Sequence, residues 1–168
     1  DEWIRRRTGI ETRHWAEPGV GTSDLAFEAA KIAIERAGIS KDDIDMIIFA
    51  TLSPDHDFPG SGCFLQAKLD IPGIPAIDIR QQCSGFIYGM SMADLYVSSG
   101  QYKNILLIGA EIQSKGLIRT PEGRDTGVLF GDGAGAVVIT RSEVNEASED
   151  GHLLGFDLHA DGRSAKEL

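Results

Sequence analysis

The sequence predicts a layered α/β domain. Segments with helical spacing of apolar residues alternate along the chain with short apolar runs of strand length. These runs are continuously hydrophobic, which is typical of strands buried on both faces of a parallel sheet. With 168 residues, 42% hydrophobic and 25% charged, the chain is long enough for one hydrophobic core. We therefore expect one domain in which helices cover both faces of a sheet.

The first helix and strand are predicted within residues 22–50. Thr22 and Ser23 can cap a helix, and Gly38 lies just past its expected end. The run 45–50 predicts the strand that follows. The buried stripe of the helix is predicted to comprise Leu25, Ala29, Ile32 and Ala33.

The middle of the chain predicts two further helices and two further strands. A helix is expected over 62–69, a buried strand over 74–79 and another apolar strand over 105–110. Between the strands at 74–79 and 105–110, helical spacing indicates another helix, which Gly100 is expected to end. The residues at this spacing are Phe86, Ile87, Met90, Ala93 and Val97.

A glycine-rich segment at 131–139 superficially resembles a nucleotide-binding loop. A dinucleotide fingerprint needs a strand before its glycines and a helix after them, whereas a β-branched run follows here. We expect these glycines to permit close backbone packing as a strand begins. Further on, the acidic stretch 143–150 predicts an exposed connection, and 153–159 predicts a strand that enters a turn at 160–162.

The charge of the chain argues against nucleic-acid binding, because its formal net charge is −10. Positive charge is concentrated locally at Arg5, Arg6 and Arg7 with Arg13 nearby, and again at Arg119 and Arg124. These side chains are either solvated surface charges or an anchor for an anionic ligand such as a nucleotide phosphate.

The sequence also favours a cytoplasmic protein that does not enter a membrane. No apolar run approaches the roughly 20 residues that span a bilayer, and no signal-peptide pattern is present. We expect the two cysteines to be reduced thiols, and their separation matches no zinc-binding spacing. The four histidines, at positions 14, 56, 152 and 159, are expected in surface or turn roles because none has the context of a base or a metal ligand.

Cys83 is the candidate catalytic residue. It lies between the predicted strand 74–79 and the helix that follows, so its sulfur is expected at a helix N-terminus. Unpaired N–H groups there favour a thiolate and could also receive the oxyanion of an attacked thioester. The alternative is an inert, buried cysteine, which is the common state of this residue type. Cys63 has no comparable context and is expected to be a packing residue.

Five short motifs occur in order along nearly all 168 residues of the chain. They are Asp1-Glu2-Trp3-Ile4 with Arg7-Thr8-Gly9-Ile10, Phe58-Pro59, Cys83-Ser84-Gly85-Phe86, Phe130-Gly131-Asp132-Gly133-Ala134-Gly135-Ala136 and Leu158-His159-Ala160-Asp161-Gly162. Through these motifs the chain resembles β-ketoacyl-acyl-carrier-protein synthase III, a family of condensing enzymes with the thiolase fold. The resemblance implies a thiolase-like layered fold, with a mixed sheet covered by helices on both faces.

The resemblance also implies roles for individual residues. Cys83 matches the nucleophile that takes an acyl group from acyl-coenzyme A. The acylated cysteine is then attacked by the carbanion that forms when malonyl-acyl-carrier protein loses carbon dioxide. Trp3 matches the residue that stacks on the adenine of coenzyme A, and Arg7 and Arg124 match contacts to its nucleotide end. Phe58 resembles a residue that closes the partner's acyl pocket across a homodimer interface, although it could be an ordinary core or loop aromatic. No permanently bound cofactor is implied.

Departures from the family pattern leave alternatives open. The family's His and Asn that stabilise the enolate lie in a second half that this chain lacks. We therefore expect residues 1–168 to be an incomplete N-terminal domain, with 143–168 leading toward the missing C-terminal half. Such a piece could be a noncatalytic coenzyme A-binding or dimerisation module. The run Arg80-Gln81-Gln82 departs from the usual small residues, so an unusual primer or a small-molecule acyl acceptor is a further alternative.

Overall fold

The computed structural model describes residues 2–141 and 152–166. Its centre is a four-stranded mixed sheet with helices on both faces. The helices are α1 (Glu2–Thr8), α2 (Thr22–Ala37), α3 (Ser61–Leu69), α4 (Gly85–Ser98) and the single turn α5 (Arg124–Gly127). The strands are β1 (Met46–Ala50), β2 (Ala76–Ile79), β3 (Asn104–Ile112) and β4 (Asp132–Thr140). The predicted helices over 22–37, 62–69 and 86–97 and the strands at 45–50, 74–79 and 105–110 are confirmed within a few residues at each end.

The strands lie in the order β2-β1-β3-β4. Strand β1 is parallel to both β2 and β3, whereas β4 is antiparallel to β3. The segment between β3 and β4 contains only short helical turns, and the chain returns beside β3 in the opposite direction. The mixed sheet implied by the family resemblance is therefore confirmed, and the all-parallel sheet suggested by hydrophobicity alone is wrong for β4.

The two faces of β1 divide the core into two layers. Ile47 and Phe49 pack with the residues of α2 and α3. Met46 and Ile48 pack with α4 on the opposite face. Because both faces are covered, every residue of β1 is buried, which explains its continuous hydrophobicity.

Helix α2 packs with a different face from the predicted one. Its buried residues are Thr22, Ser23, Ala26, Ala30, Ala33 and Ile34. The side chain of Ile32 is 51% exposed, so the predicted stripe was wrong at that position, while Ala33 is buried as predicted. The predicted cap was also wrong, because Gly21 precedes the helix and donates its N–H to Asp24 at 2.7 Å. Gly38 ends the helix in the left-handed conformation, as predicted (φ +66°).

The later segments partly depart from the prediction. Strand β4 begins within the glycine-rich segment, as expected, and a Cβ on Gly131 would lie 3.1 Å from the His14 carbonyl oxygen. Gly133 and Gly135 face open space, so close packing does not explain them. The strand predicted at 153–159 is wrong: within the described part of the chain these residues pair with no strand, and Leu154 is 97% exposed. The predicted connection at 143–150 lies outside the described residues. No described helix has the length and hydrophobicity to cross a membrane.

Candidate active site

Cys83 lies at the turn between β2 and α4, where the sequence predicts it. Residues Gln82–Ser84 form a short 3-10 turn, and the Cys83 side chain is exposed rather than buried. Gln82 has φ of +43°, a left-handed conformation that costs a non-glycine residue about 1–3 kcal/mol and often occurs at functional sites. Among the described residues Cys83 is therefore not buried, and its role as the nucleophile stays a prediction.

The backbone N–H groups of Cys83, Ser84 and Gly85 differ in whether they donate a hydrogen bond. The N–H of Ser84 donates to the Gln81 carbonyl at 3.2 Å, and the N–H of Gly85 donates to the Gln82 carbonyl. Among the residues that the structure describes, the N–H of Cys83 donates to no backbone or side-chain acceptor. Of these three amides, the one on the cysteine itself is therefore the candidate oxyanion donor.

Glycines let α4 approach the sheet closely and so fix the position of Cys83. A Cβ on Gly89 would lie 2.6 Å from Leu107 Cδ1 and 3.3 Å from Ile48 Cγ2. A Cβ on Gly85 would lie 3.3 Å from the Cβ of Ala50. Because real Cβ atoms rarely come this close to neighbours, larger residues here would push the helix, and Cys83 with it, away from the sheet.

Asp78 on β2 connects the strand before Cys83 to α3. Its carboxylate accepts the N–H of Ser61 at 2.6 Å and that of Gly62 at 2.8 Å, so it satisfies two amides in the first turn of α3. Sequence analysis assigned Asp78 no role. The sequence does contain a signal for such a role, because Asp78 is a single acidic residue inside an otherwise apolar strand.

A second carboxylate holds the loop 51–60 that carries Phe58. Glu111 on β3 accepts the N–H of Leu52 at 2.8 Å and the hydroxyl of Ser53 at 2.5 Å. Phe58 is 89% exposed at the far part of this loop. It is thus a projecting apolar side chain rather than a core residue, and its contact with a partner subunit stays a prediction.

Cys63 and the histidines take no part in this arrangement. Cys63 is exposed, so the prediction that it packs in the core is wrong. The buried positions of α3 are Ser61, Gly62, Leu65 and Leu69, which leaves Cys63 on another face. The ring centres of His56 and Phe64 lie 5.1 Å apart, and His159 pairs with Asp157 at 2.5 Å in an exposed segment without regular secondary structure. Within residues 2–141 and 152–166, no group of three potential metal ligands occurs.

Trp3 lies beside two arginine side chains, one of them far away in sequence. The guanidinium carbon of Arg124 is 3.8 Å from the centre of the Trp3 ring, and that of Arg7 is 4.8 Å from it. An open cleft of about 510 Å³ is lined by Glu2, Trp3, Arg6 and Arg7. The three predicted nucleotide-binding residues are therefore brought together, in a setting with an aromatic face and a cluster of cations.

Asp132, the first residue of β4, joins the N-terminal segment to the segment after β3. Its carboxylate accepts the N–H of Ala16 at 2.7 Å, together with the N–H and hydroxyl of Ser114 at 2.8 and 2.6 Å. Burial raises the pKa of this carboxyl, but the hydrogen bonds from Ser114 and Ala16 outweigh burial and hold the pKa below its ordinary value. The ionised form is therefore the one that the fold stabilises.

We expect the Asp132→Asn variant to lose about 1–2 kcal/mol of unfolding free energy near neutral pH, because it replaces a charged acceptor of three hydrogen bonds by a neutral amide. Since the folded pKa lies below the unfolded value near 4, the stabilisation is present above about pH 4 and disappears as the pH falls through the folded pKa. Denaturant titrations at pH 7 and pH 3 would measure this. If the variant lost the same unfolding free energy at pH 3 as at pH 7, the stabilisation would not depend on the charge of Asp132.

Comparison with solved structures identifies the class of fold. Beta-ketoacyl-[acyl-carrier-protein] synthase III from Thermus thermophilus superimposes on 99% of this chain with a TM-score of 0.86 and 39% sequence identity, and the match covers 50% of that chain. The mixed sheet with helices on both faces is thus a thiolase-like layered α/β fold.

Sequence comparison identifies the family. Residues 77–162 match the family described as 3-oxoacyl-[acyl-carrier-protein (ACP)] synthase III. Two curated relatives are named beta-ketoacyl-[acyl-carrier-protein] synthase III: the protein of Staphylococcus haemolyticus is 50% identical over 100% of this chain, and that of Ehrlichia canis is 48% identical over 96% of it. The matches cover 51% and 49% of these relatives, so the chain spans about half their length. The chain belongs to the 3-oxoacyl-[acyl-carrier-protein] synthase III family, which confirms the predicted resemblance.

Proposed function

We propose that the full-length protein is an acyltransferase that initiates fatty-acid synthesis. The observation that carries this proposal is an exposed Cys83 at a strand-to-helix turn, inside the segment that matches the synthase III family. The Cys83 thiolate attacks the carbonyl of acyl-coenzyme A, the carbon–sulfur bond to coenzyme A breaks, and coenzyme A leaves as its thiolate, which takes a proton from water. The N–H of Cys83 donates to the oxyanion during this step.

The second step is condensation with malonyl-acyl-carrier protein. Loss of carbon dioxide from the malonyl group leaves a carbanion, which attacks the acyl carbonyl on Cys83 and displaces the sulfur as thiolate. The product is a β-ketoacyl thioester on the carrier. This step also requires the family's enolate-stabilising His and Asn, so residues 1–168 alone would act at most as an acyl-accepting, coenzyme A-binding module. We further propose a cytoplasmic homodimer in which Phe58 contacts the partner's acyl pocket.

The test is to incubate the full-length protein with acyl-coenzyme A and malonyl-acyl-carrier protein and to identify the product by mass spectrometry. A β-ketoacyl-carrier product supports the proposal. Acylation of the protein without any condensation, or transfer to a small nucleophile instead, would reject it in favour of the alternative acyltransferase. That alternative is favoured by the residues before Cys83, because Gln81 and Gln82 are larger than the family's usual residues and Gln82 is in a left-handed conformation. A panel of acyl donors of increasing length would show which primer the site accepts.

We expect Trp3→Ala to weaken binding of coenzyme A by about ten-fold, because stacking of a base on an aromatic side chain contributes about 1–3 kcal/mol. Isothermal titration would measure the affinity. Leu95→Ala removes an exposed apolar side chain from the outer face of α4 and serves as the control. Equal affinities for the two variants would contradict a nucleotide site at Trp3.

A further inference from the structure

The two tryptophans of the chain are covered in the same way by one loop. The guanidinium of Arg124 lies over Trp3 at 3.8 Å, and that of Arg119 lies over Trp15 at 4.2 Å. Both arginines come from the segment between β3 and β4, and both tryptophans come from the N-terminal segment. The loop therefore contacts the N-terminal segment through two separate stacked pairs.

The loop between these arginines is a closed turn. The N–H of Gly123 donates to the carbonyl of Thr120 at 3.0 Å. A Cβ on Gly123 would lie 1.9 Å from the carbonyl oxygen of Ile118, which no side chain could tolerate without movement of the backbone. This contact brings the two ends of the turn together, so Arg119 and Arg124 extend from backbone positions that lie close to each other.

The Arg119 end of the turn is fastened to the sheet. Arg119 donates to the carbonyl oxygen of Ser114 at 3.2 Å as well as lying over Trp15. Ser114 and Ala16, the residue after Trp15, both donate to the Asp132 carboxylate at the start of β4. A cavity of about 220 Å³ lies between these two segments, lined in part by Trp15 and Arg119. The Arg119 pair is thus connected to β4 by hydrogen bonds on both sides.

The Arg124 end would have to move if a base stacked on the face of Trp3 that it covers. At 3.8 Å from the ring centre, its guanidinium is in direct contact with Trp3. A base that stacks on the covered face must displace it by about one ring thickness, ~3.5 Å. A displaced guanidinium that stays close can then pair with the phosphates of the ligand. Arg124 therefore needs both freedom to leave the indole and a constraint on how far it goes.

We infer that Arg119 and Trp15 form an anchor that keeps Arg124 within reach of a nucleotide bound at Trp3. They are positioning residues: they act through Arg124 and do not touch the ligand. The inference rests on the proposed function, because it takes coenzyme A as the ligand at Trp3. It assigns to Arg119 and Trp15 a role in affinity for the nucleotide end and none in the chemistry at Cys83.

The experiment measures coenzyme A affinity and acylation kinetics of the full-length protein. Arg119→Ala should weaken coenzyme A binding about three- to five-fold, the scale of one exposed cation–π contact, and raise KM for acyl-coenzyme A while leaving the rate at saturation unchanged. Arg119→Lys keeps the charge but loses the planar stacking face, so its affinity for coenzyme A should lie between those of the unaltered protein and Arg119→Ala. Lys115→Ala is the matched control, because it removes a neighbouring exposed cation that stacks on neither tryptophan.

A double variant separates anchoring from a general loss of charge or stability. If Arg119 acts through Arg124, adding Arg119→Ala to Arg124→Ala should cause no further loss of affinity. Additive losses, an equal loss in Lys115→Ala, or unchanged affinity in Arg119→Ala would each overturn the inference while leaving the proposed function intact. If the unaltered protein fails to bind coenzyme A, the proposed function fails and this inference fails with it.

Discussion

Replacing Cys83 with alanine is expected to abolish transfer of the acyl group to the protein, with a fall in rate of at least about a thousand-fold. The sulfur is the only atom of the described turn Gln82–Ser84 that can form a thioester, and the side chain is open to solvent. Intact-protein mass spectrometry after incubation with acyl-coenzyme A would detect one added acyl group on the unaltered protein and none on the variant. The exposed position makes a folding defect from this substitution small.

The chain provides a matched control in its other cysteine. Cys63 is also an exposed thiol, but it lies within α3 rather than at a strand-to-helix turn. Cys63→Ala should be acylated as fast as the unaltered protein. Acylation that persists in Cys83→Ala and disappears in Cys63→Ala would transfer the role of nucleophile to α3 and remove the basis of the proposed mechanism.

Local patterns in the sequence were enough to predict the elements of the fold. The run Met46–Ala50 is buried on both faces, so its hydrophobicity is continuous and easily recognised. The face of α2 was harder to predict because Ala26 and Ala30 are completely buried although their side chains are small. The larger Ile32 dominated the pattern but is half exposed. Periodicity therefore located the helix correctly and its buried face only in part.

The contacts that assemble the site were less predictable because they join distant residues. Cys83 was predictable from the strand and helix on either side of it. The pairing of Arg119 with Trp15 depends on how the segment after β3 folds back onto the N-terminal segment, which no local pattern specifies. The same applies to Asp78, whose carboxylate meets α3 only in the folded chain. Trp3, Arg7 and Arg124 were grouped in advance by family resemblance, and the structure places them in contact.

Truncation of Phe49 to alanine is expected to lower the free energy of unfolding by about 3–5 kcal/mol, a large part of the roughly 5–15 kcal/mol available to a typical domain. Phe49 is completely buried in the layer between β1 and helices α2 and α3. A Cβ on Gly62 would lie 3.6 Å from the Phe49 Cβ, so α3 rests directly on this residue. The resulting cavity would weaken the support of α3. Chemical denaturation followed by circular dichroism would measure the loss.

Phe58→Ala is the matched control for this substitution, since it removes the same side chain from a position that is 89% exposed. Its unfolding free energy in the monomer should change by no more than about 0.5 kcal/mol. If Phe58 contacts a partner subunit as proposed, the variant should instead show weaker self-association in sedimentation velocity, because an exposed aromatic side chain contributes mainly when a partner buries it. Equal destabilisation of the two variants in the monomer would mean that the layer around Phe49 does not carry the stability assigned to it.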